Sequence, residues 1–354
     1  MKILKSFILC IAAVATAITA RAEEYTFSVD KIWDNGMHCA FTSIEKFNDT
    51  FYICFREGYS HVFNSQGEAD GKIRILCSKN GKKWKSLLLL SKEGYDLRDA
   101  KLSITPDGRL MVNMAASIYR NKKLVGRDNF VTFSKDGRNF TELQKINVDE
   151  QYRTQYDWLW RVTWYKDTGY TICYSRKNRT KEKSELHLYS TKDGINYTHF
   201  KSFELDGYPN ESTIRFLEDG RMAIMVRRER KGRSCMWGVS SDTTYQDWTW
   251  KSIGPFIGGP DFIVMDSGDI VAGGRTTICK MPKTSIFVKK ANGKKDRFAQ
   301  TMILPSGGDC AYPGFLVVGD KVWVSYYSTH ETKKASIYLA KIPLKMLGVK
   351  TDKK

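Results

Sequence analysis

Four signatures by which chains often announce their chemistry are missing from these 354 residues. There is no CxxC pair, no HExxH, no GxSxG elbow and no Gly-rich loop opening a helix. Their absence removes common zinc sites, serine-hydrolase elbows and helical phosphate loops from consideration. Helix-period apolar spacing is nearly absent too, no Pro/Ser linker divides the chain, and no apolar run reaches the ~18 residues of a membrane span. Acids are in deficit, 39 against 57 basic residues, for a formal net charge of +18. Such an excess favours polyanionic partners. The Lys and Arg residues are nevertheless spread along the chain rather than gathered in one run, as on a solvated basic surface, and no nucleic-acid partner is expected.

The first 22 residues have the form of an export signal. Lys2 and Lys5 precede an apolar run from Phe7 to Ile18, and Ala20-Arg21-Ala22 supplies a small-x-small cleavage pattern, so Glu23 is the expected first mature residue. Cys10 lacks the small residue that would precede a lipoprotein cysteine. A secreted or periplasmic protein is expected, without membrane insertion. Beyond the leader stand Cys39, Cys54, Cys77, Cys173, Cys235, Cys279 and Cys310, mostly inside apolar patterns. They read as small core residues, with one disulfide left open in an oxidising compartment.

What the chain does have is a repeat. A short apolar strand, a polar turn and a second apolar strand recur six times, from Cys39, Arg98, Trp160, Glu211, Pro260 and Ala311. RDAKLSITPDGRLMVNMAA and ESTIRFLEDGRMAIMVRRE show the pattern, which is that of a β-hairpin. A third strand follows each hairpin (KIRILCS, NFVTFS, ELHLYS) and a fourth closes most units (SLLLLS, FKSFEL, WTWKSI). Six such units in series predict an all-β, six-bladed β-propeller as a single domain over residues 23–354. The sixth unit lacks a fourth strand, whereas Tyr25 to Ile32 is a strand without a unit. That segment is expected to complete the last blade and close the ring, leaving no long unpaired edge.

In a propeller the first strand of each blade lines a central channel. Residues just before the first strands and just after the second strands therefore gather at one mouth. In this chain they are unusually polar: His38, Arg56, Glu57, Arg98, Asp99, Arg161, Glu211, Arg227, Arg228, Asp261, Arg275, Asp309, Tyr312, His330 and Glu331. Charges converging on a funnel are costly unless they pair or bind something, so inter-blade salt bridges and a ligand site are both open. Trp158 and Trp160 flank Arg161 either as sugar-stacking platforms or as packing between blades.

A second element recurs in phase with the hairpins: Ser78-Lys-Asn-Gly-Lys-Lys-Trp84, Ser134-Lys-Asp-Gly-Arg-Asn-Phe140, Thr191-Lys-Asp-Gly-Ile-Asn-Tyr197 and a degenerate Ser241 to Trp248. It resembles the Asp-box of sialidases and other BNR-type propellers. The likeness extends to two segments. Glu211 to Arg227 is similar to the sialidase hairpin led by a Glu and ended by an Arg, and Tyr312-Pro-Gly-Phe to the segment bearing the family's Tyr nucleophile. The resemblance implies that Tyr312 attacks the anomeric carbon and Glu211 takes its proton. A phenol of pKa near ~10 needs such a base at neutral pH. It implies further that Arg227 and Arg275 clamp a substrate carboxylate. Arg98, Arg56, Arg161, Asp261 and His330 are the further substrate-binding candidates.

Two departures stand out. Sialidases carry an Arg at the head of blade one where this chain has His38-Cys39-Ala40, and an Arg in similar context opens blade two instead, at Arg98. The family's general acid, an Asp in the loop after the first hairpin, has no clean match. Glu57, His61 and Asp99 are the candidates for that role. The expected function is thus hydrolysis of a terminal acidic sugar by a retaining mechanism, with an acidic oligosaccharide or polysaccharide as partner and no cofactor or metal. Two alternatives stay open: a polysaccharide lyase or carboxylate-pair glycosidase on the same scaffold, and a glycan-binding propeller without catalysis.

Overall fold

Five of the six blades are four-stranded antiparallel sheets, and the third is a six-stranded sheet in which Asn147–Val148 pairs parallel with Asn196–Phe203. The computed structural model describes residues 26–175, 185–230, 234–293 and 297–350, so the expected leader lies outside the described residues. Six sheets are arranged as a propeller. Blade one runs outward through His38–Phe47, Thr50–Gly58, Lys72–Ser78 and Lys85–Leu90. Blades two, four and five repeat that order from inner strands Asp96–Ile104, Pro209–Phe216 and Gly258–Val264. In blade six the inner strand Cys310–Val318 is followed by Lys321–Ser328 and Ser336–Pro343, and Ser28–Trp33 pairs antiparallel with the last of these. The N-terminal strand therefore completes the final sheet, as the missing fourth strand of that repeat required.

Local chemistry explains the hairpins. Asn48 and Asp49 both sit at positive φ in the two-residue turn of blade one, as a type I′ turn demands. In the second recurrent element, Ser134 Oγ accepts a hydrogen bond from the Gly137 amide at 2.9 Å, and Asp136 Oδ1 accepts from those of Arg138 and Asn139 at 2.8 Å. Gly137 has φ +73°, and a Cβ there would lie 2.1 Å from the Tyr52 hydroxyl of the preceding blade. Between blades the sheets bury apolar side chains such as Tyr52, Ile75, Leu102 and Val112, each worth about 1.5–3 kcal/mol. The seven cysteines from Cys39 to Cys310 are all free thiols.

One irregularity is repeated and decides where the chemistry sits. The inner strands of blades one, two, four, five and six each slip register between Ala40 and Ser43, Arg98 and Lys101, Pro209 and Ser212, Gly258 and Asp261, and Ala311 and Gly314. Blade three is interrupted at the equivalent place, between Trp158–Leu159 and Thr163–Tyr165. A bulge inserts an extra residue and re-aims its side chain. Phe41, Asp99 and Tyr312 take φ of +66°, +53° and +48° at these bulges, a conformation that costs a non-glycine residue roughly 1–2 kcal/mol. Backbone strain of this kind clusters at functional sites, and these bulges lie at the same end of their inner strands.

Candidate active site

At that end the phenol of Tyr312, from blade six, donates a hydrogen bond to Glu211 Oε1, from blade four, at 2.9 Å. Arg227 Nη1, at the end of the next strand of blade four, donates to Tyr312 Oη at 2.9 Å and also contacts Glu211 Oε2. Its Nη2 reaches Glu229 at 2.8 Å. The Tyr312 ring rests on Gly259 of blade five, where a Cβ would stand 2.4 Å from Cγ. Phe41 meets the ring edge-on at 5.1 Å between centroids, and the Arg275 guanidinium lies 5.4 Å from its centroid. Tyr312 and Glu211 are both 8% exposed. Burial pushes the phenol well above its ordinary value, against the pull of Arg227. Tyr312 therefore rests protonated, with a carboxylate in place to receive its proton.

A second network adjoins the first. Arg275 Nη2 donates to Asp309 Oδ1 at 2.9 Å and to Tyr327 Oη at 2.7 Å, while its Nε holds the Cys310 carbonyl. Asp309 Oδ2 faces His38 Nε2 at 2.9 Å and His61 Nδ1 at 2.7 Å. Burial alone would raise the Asp309 carboxyl, but hydrogen bonds from both histidines and the charge of Arg275 hold it well below the usual range. Among the described residues, His38, His61 and Asp309 are the group whose donor atoms converge closely enough for a metal ion, within 4.8 Å of one another. Arg98 forms the adjoining wall, donating to the His61 carbonyl at 2.7 Å and lying 5.5 Å from the Phe41 ring. Asp99 is 7% exposed, one of its oxygens has no hydrogen-bond partner, and burial raises its carboxyl against the opposing charges of Lys101 and Arg98.

Several residues expected at the mouth are placed elsewhere. Arg56 is fully buried on Asp96 at 2.9 Å. Glu57, a candidate acid by sequence, is clasped by Arg74 through two contacts of 2.5 and 2.8 Å within blade one. Strand alternation explains both, since neighbours on one strand face opposite sides of a sheet. Arg161 and Asp261 pair with each other at 3.0 Å, and Arg215 joins Asp261 at 2.7 Å. Arg161 and Arg215 face a cavity of about 310 Å³ lined also by Ile44, Ser103 and Phe315, several residues further along the inner strands. His330 bonds Ser328 and packs 4.7 Å from Tyr338 at the edge of blade six. The second histidine of the site is His38, with no role assigned by sequence. Phe41 and Glu229 were missed. Glu229 had a signal, two positions beyond Arg227, but Phe41 sits inside an apolar strand pattern and had none.

No protein-family model and no curated protein matches the sequence. Solved structures do match in fold. A protein of unknown function from Dyadobacter fermentans superposes with a TM-score of 0.76 at 17% identity, over 89% of this chain and 99% of its own. The fold is a six-bladed propeller shared with glycoside hydrolases. Trypanosoma rangeli sialidase in complex with sialic acid gives a TM-score of 0.67 at 10% identity, over 91% of this chain and 59% of its own. Penicillium chrysogenum α-L-arabinanase complexed with arabinobiose gives 0.64 at 15%, over 90% and 97%. Identities this low carry the architecture alone. No helix of the described residues is long and apolar enough to cross a membrane.

Proposed function

We infer that this protein is an exported retaining glycoside hydrolase in which Tyr312 attacks the anomeric carbon of a terminal sugar and Glu211 removes the phenolic proton. The observation that carries this reading is the 2.9 Å contact between Tyr312 Oη and the Glu211 carboxylate, with Arg227 bound to both. A buried phenol far above its ordinary value is inert without such a base. Arg227 supports the phenolate as the proton leaves, and Gly259 and Phe41 hold the ring in place. Tyrosine-based glycosidases stand outside the usual two-carboxylate scheme. An acidic sugar of sialic or uronic type is the primary substrate class, supported by Arg98, Arg227 and Arg275 around the mouth and by the positive charge of the chain.

One observation favours a neutral sugar as the second reading. Each of the three arginines already has a carboxylate close by: Glu211 and Glu229 for Arg227, Asp309 for Arg275, Asp96 for Arg98. An incoming carboxylate competes with these, whereas the hydroxyls of a neutral sugar accept and donate among them. The test is a panel of aryl sialosides, uronides and arabinofuranosides followed by NMR of the released anomer, then trapping with the matching fluorinated sugar. Retention of configuration and a label on the peptide containing Tyr312 are expected. Inversion, or a label on Glu211, would refute the assignment. Release of an unsaturated uronate would point to a lyase.

A further inference from the structure

Once Glu211 is engaged as the base for Tyr312, the leaving group of the proposed reaction needs a separate proton donor. Glu57 is withdrawn into blade one by Arg74. Asp99 lies in the wall, 7% exposed, whereas the aglycone of a terminal sugar points out to solvent. His61 differs from both. It sits on the loop after the blade-one hairpin, its side chain is 49% exposed, and its ring stands 5.3 Å from Phe41, which on its other contacts touches Tyr312 at 5.1 Å. Phe41 thus borders both rings, which sets His61 beside the nucleophile at the same end of the channel.

Asp309 orients this imidazole. Its Oδ2 takes the His61 Nδ1–H, while Arg275 and Tyr327 fix Oδ1 and His38 shares Oδ2. His38 Nδ1 is buried without a hydrogen-bond partner. A proton there would be an orphaned donor, so His38 carries its proton on Nε2 and gives it to Asp309. With Nδ1 of His61 committed as well, Nε2 of His61 is the free end of the dyad. The same three side chains do not suit a metal equally well. The Arg275 guanidinium occupies the carboxylate that would neutralise the ion, and His38 lacks the outer partner that ligating histidines usually have.

We propose that His61, oriented by Asp309, is the leaving-group acid and then the water-activating base of this site. This rests on the glycosidase reading above. In the first step protonated His61 gives its Nε2 proton to the glycosidic oxygen as the C–O bond breaks. The Tyr312 Oη–C1 bond forms, and the phenolic proton passes to Glu211. In the second step neutral His61 takes a proton from water as that water attacks C1. The Tyr312–C1 bond breaks, and Glu211 returns its proton to the phenolate. The net change is glycoside plus water to free sugar plus alcohol. Asp309 is a positioning residue.

The experiment compares His61→Gln, Asp309→Asn, Asp99→Asn and Tyr312→Phe on two glycosides of whichever sugar the wild type cleaves, one dinitrophenyl-activated and one sugar-linked. A leaving group that departs unaided does not need the acid. His61→Gln is expected to lose about 10²–10⁴-fold on the sugar-linked substrate and under tenfold on the activated one. Added azide should accelerate turnover of the activated substrate by this variant, as a nucleophile that needs no base. Asp309→Asn should show the same leaving-group selectivity with a smaller loss. Tyr312→Phe should lose both activities alike. Equal losses of His61→Gln on both substrates would overturn the assignment, as would the selective pattern appearing in Asp99→Asn instead. Activity abolished by chelation and restored by zinc would replace the dyad with a metal site. Full activity in Tyr312→Phe would instead sink the nucleophile reading, leaving the His61 result to stand separately.

Discussion

Gly259→Ala probes the seat of the nucleophile without replacing any catalytic group. The new methyl carbon would stand 2.4 Å from Cγ and Cδ1 of Tyr312, at a position whose φ is +57°. Carbon atoms in contact prefer ~3.5–4.0 Å, so the ring must retreat by more than about 1 Å. Retreat is opposed by Phe41 and by the 2.9 Å hydrogen bonds to Glu211 and Arg227. Left-handed backbone costs an alanine roughly 1–2 kcal/mol and overpacking a further 1–3 kcal/mol, for a total destabilisation of about 2–5 kcal/mol. A displacement of about 1 Å at the reacting atom costs on the order of 10²-fold in kcat. Urea denaturation gives the first quantity and steady-state turnover the second. A variant within ~0.5 kcal/mol of the wild type, with unchanged kcat, would show that the phenol does not rest on Gly259, and the proposed geometry of attack would fall with it.

Three further outcomes test the assignment of charges to structure or to chemistry. Lys101 is buried below the site beside Trp160, where burial and then the charge of Arg161 lower it from 10.5 to about 8. Lys101→Met should therefore stabilise the protein by roughly 3 kcal/mol at neutral pH. The wild-type lysine sheds its proton before the unfolded chain does, so wild-type stability rises between about 8 and 10.5 and the advantage of the variant fades there; a pH-independent difference would contradict this. Asp261→Ala strands the Arg161 and Arg215 guanidinium groups in the channel and should cost about 3–5 kcal/mol, while the folded fraction keeps its KM. A selective rise in KM would return Arg161 and Asp261 to the substrate site. Glu57→Gln loosens the contact of this buried side chain with Arg74 and should lower the melting temperature while leaving kcat close to the wild-type value; a hundredfold drop in kcat would restore Glu57 as a catalytic group.

The architecture was legible because it rests on local periodicity repeated six times. Alternating strands, turns such as Asn48-Asp49, and an unmatched N-terminal strand allow one closed arrangement, and the sheet order with its N-terminal pairing is that arrangement. The pairing of Tyr312 with Glu211 was foreshadowed by the likeness of their two segments to the sialidase hairpin and nucleophile segments. What sequence could not assign was the direction in which each mouth residue points. Arg227 and Arg228 are neighbours, yet one meets Tyr312 and the other turns to Ser234. Arg56 and Glu57 read as well as His38 and Asp309, and only the latter pair reaches the site.

The physical reason lies in the bulges. A strand pattern determines which residues alternate, and hydrophobic burial determines that the blades close into a ring. An inserted residue that reverses the alternation is specified by contacts between blades, at Phe41, Asp99 and Tyr312, and not by any local propensity. Sequence thus determined the ring and the polar character of one of its mouths. Tertiary structure alone decided which charges neutralise one another within and between the blades and which remain gathered around the phenol.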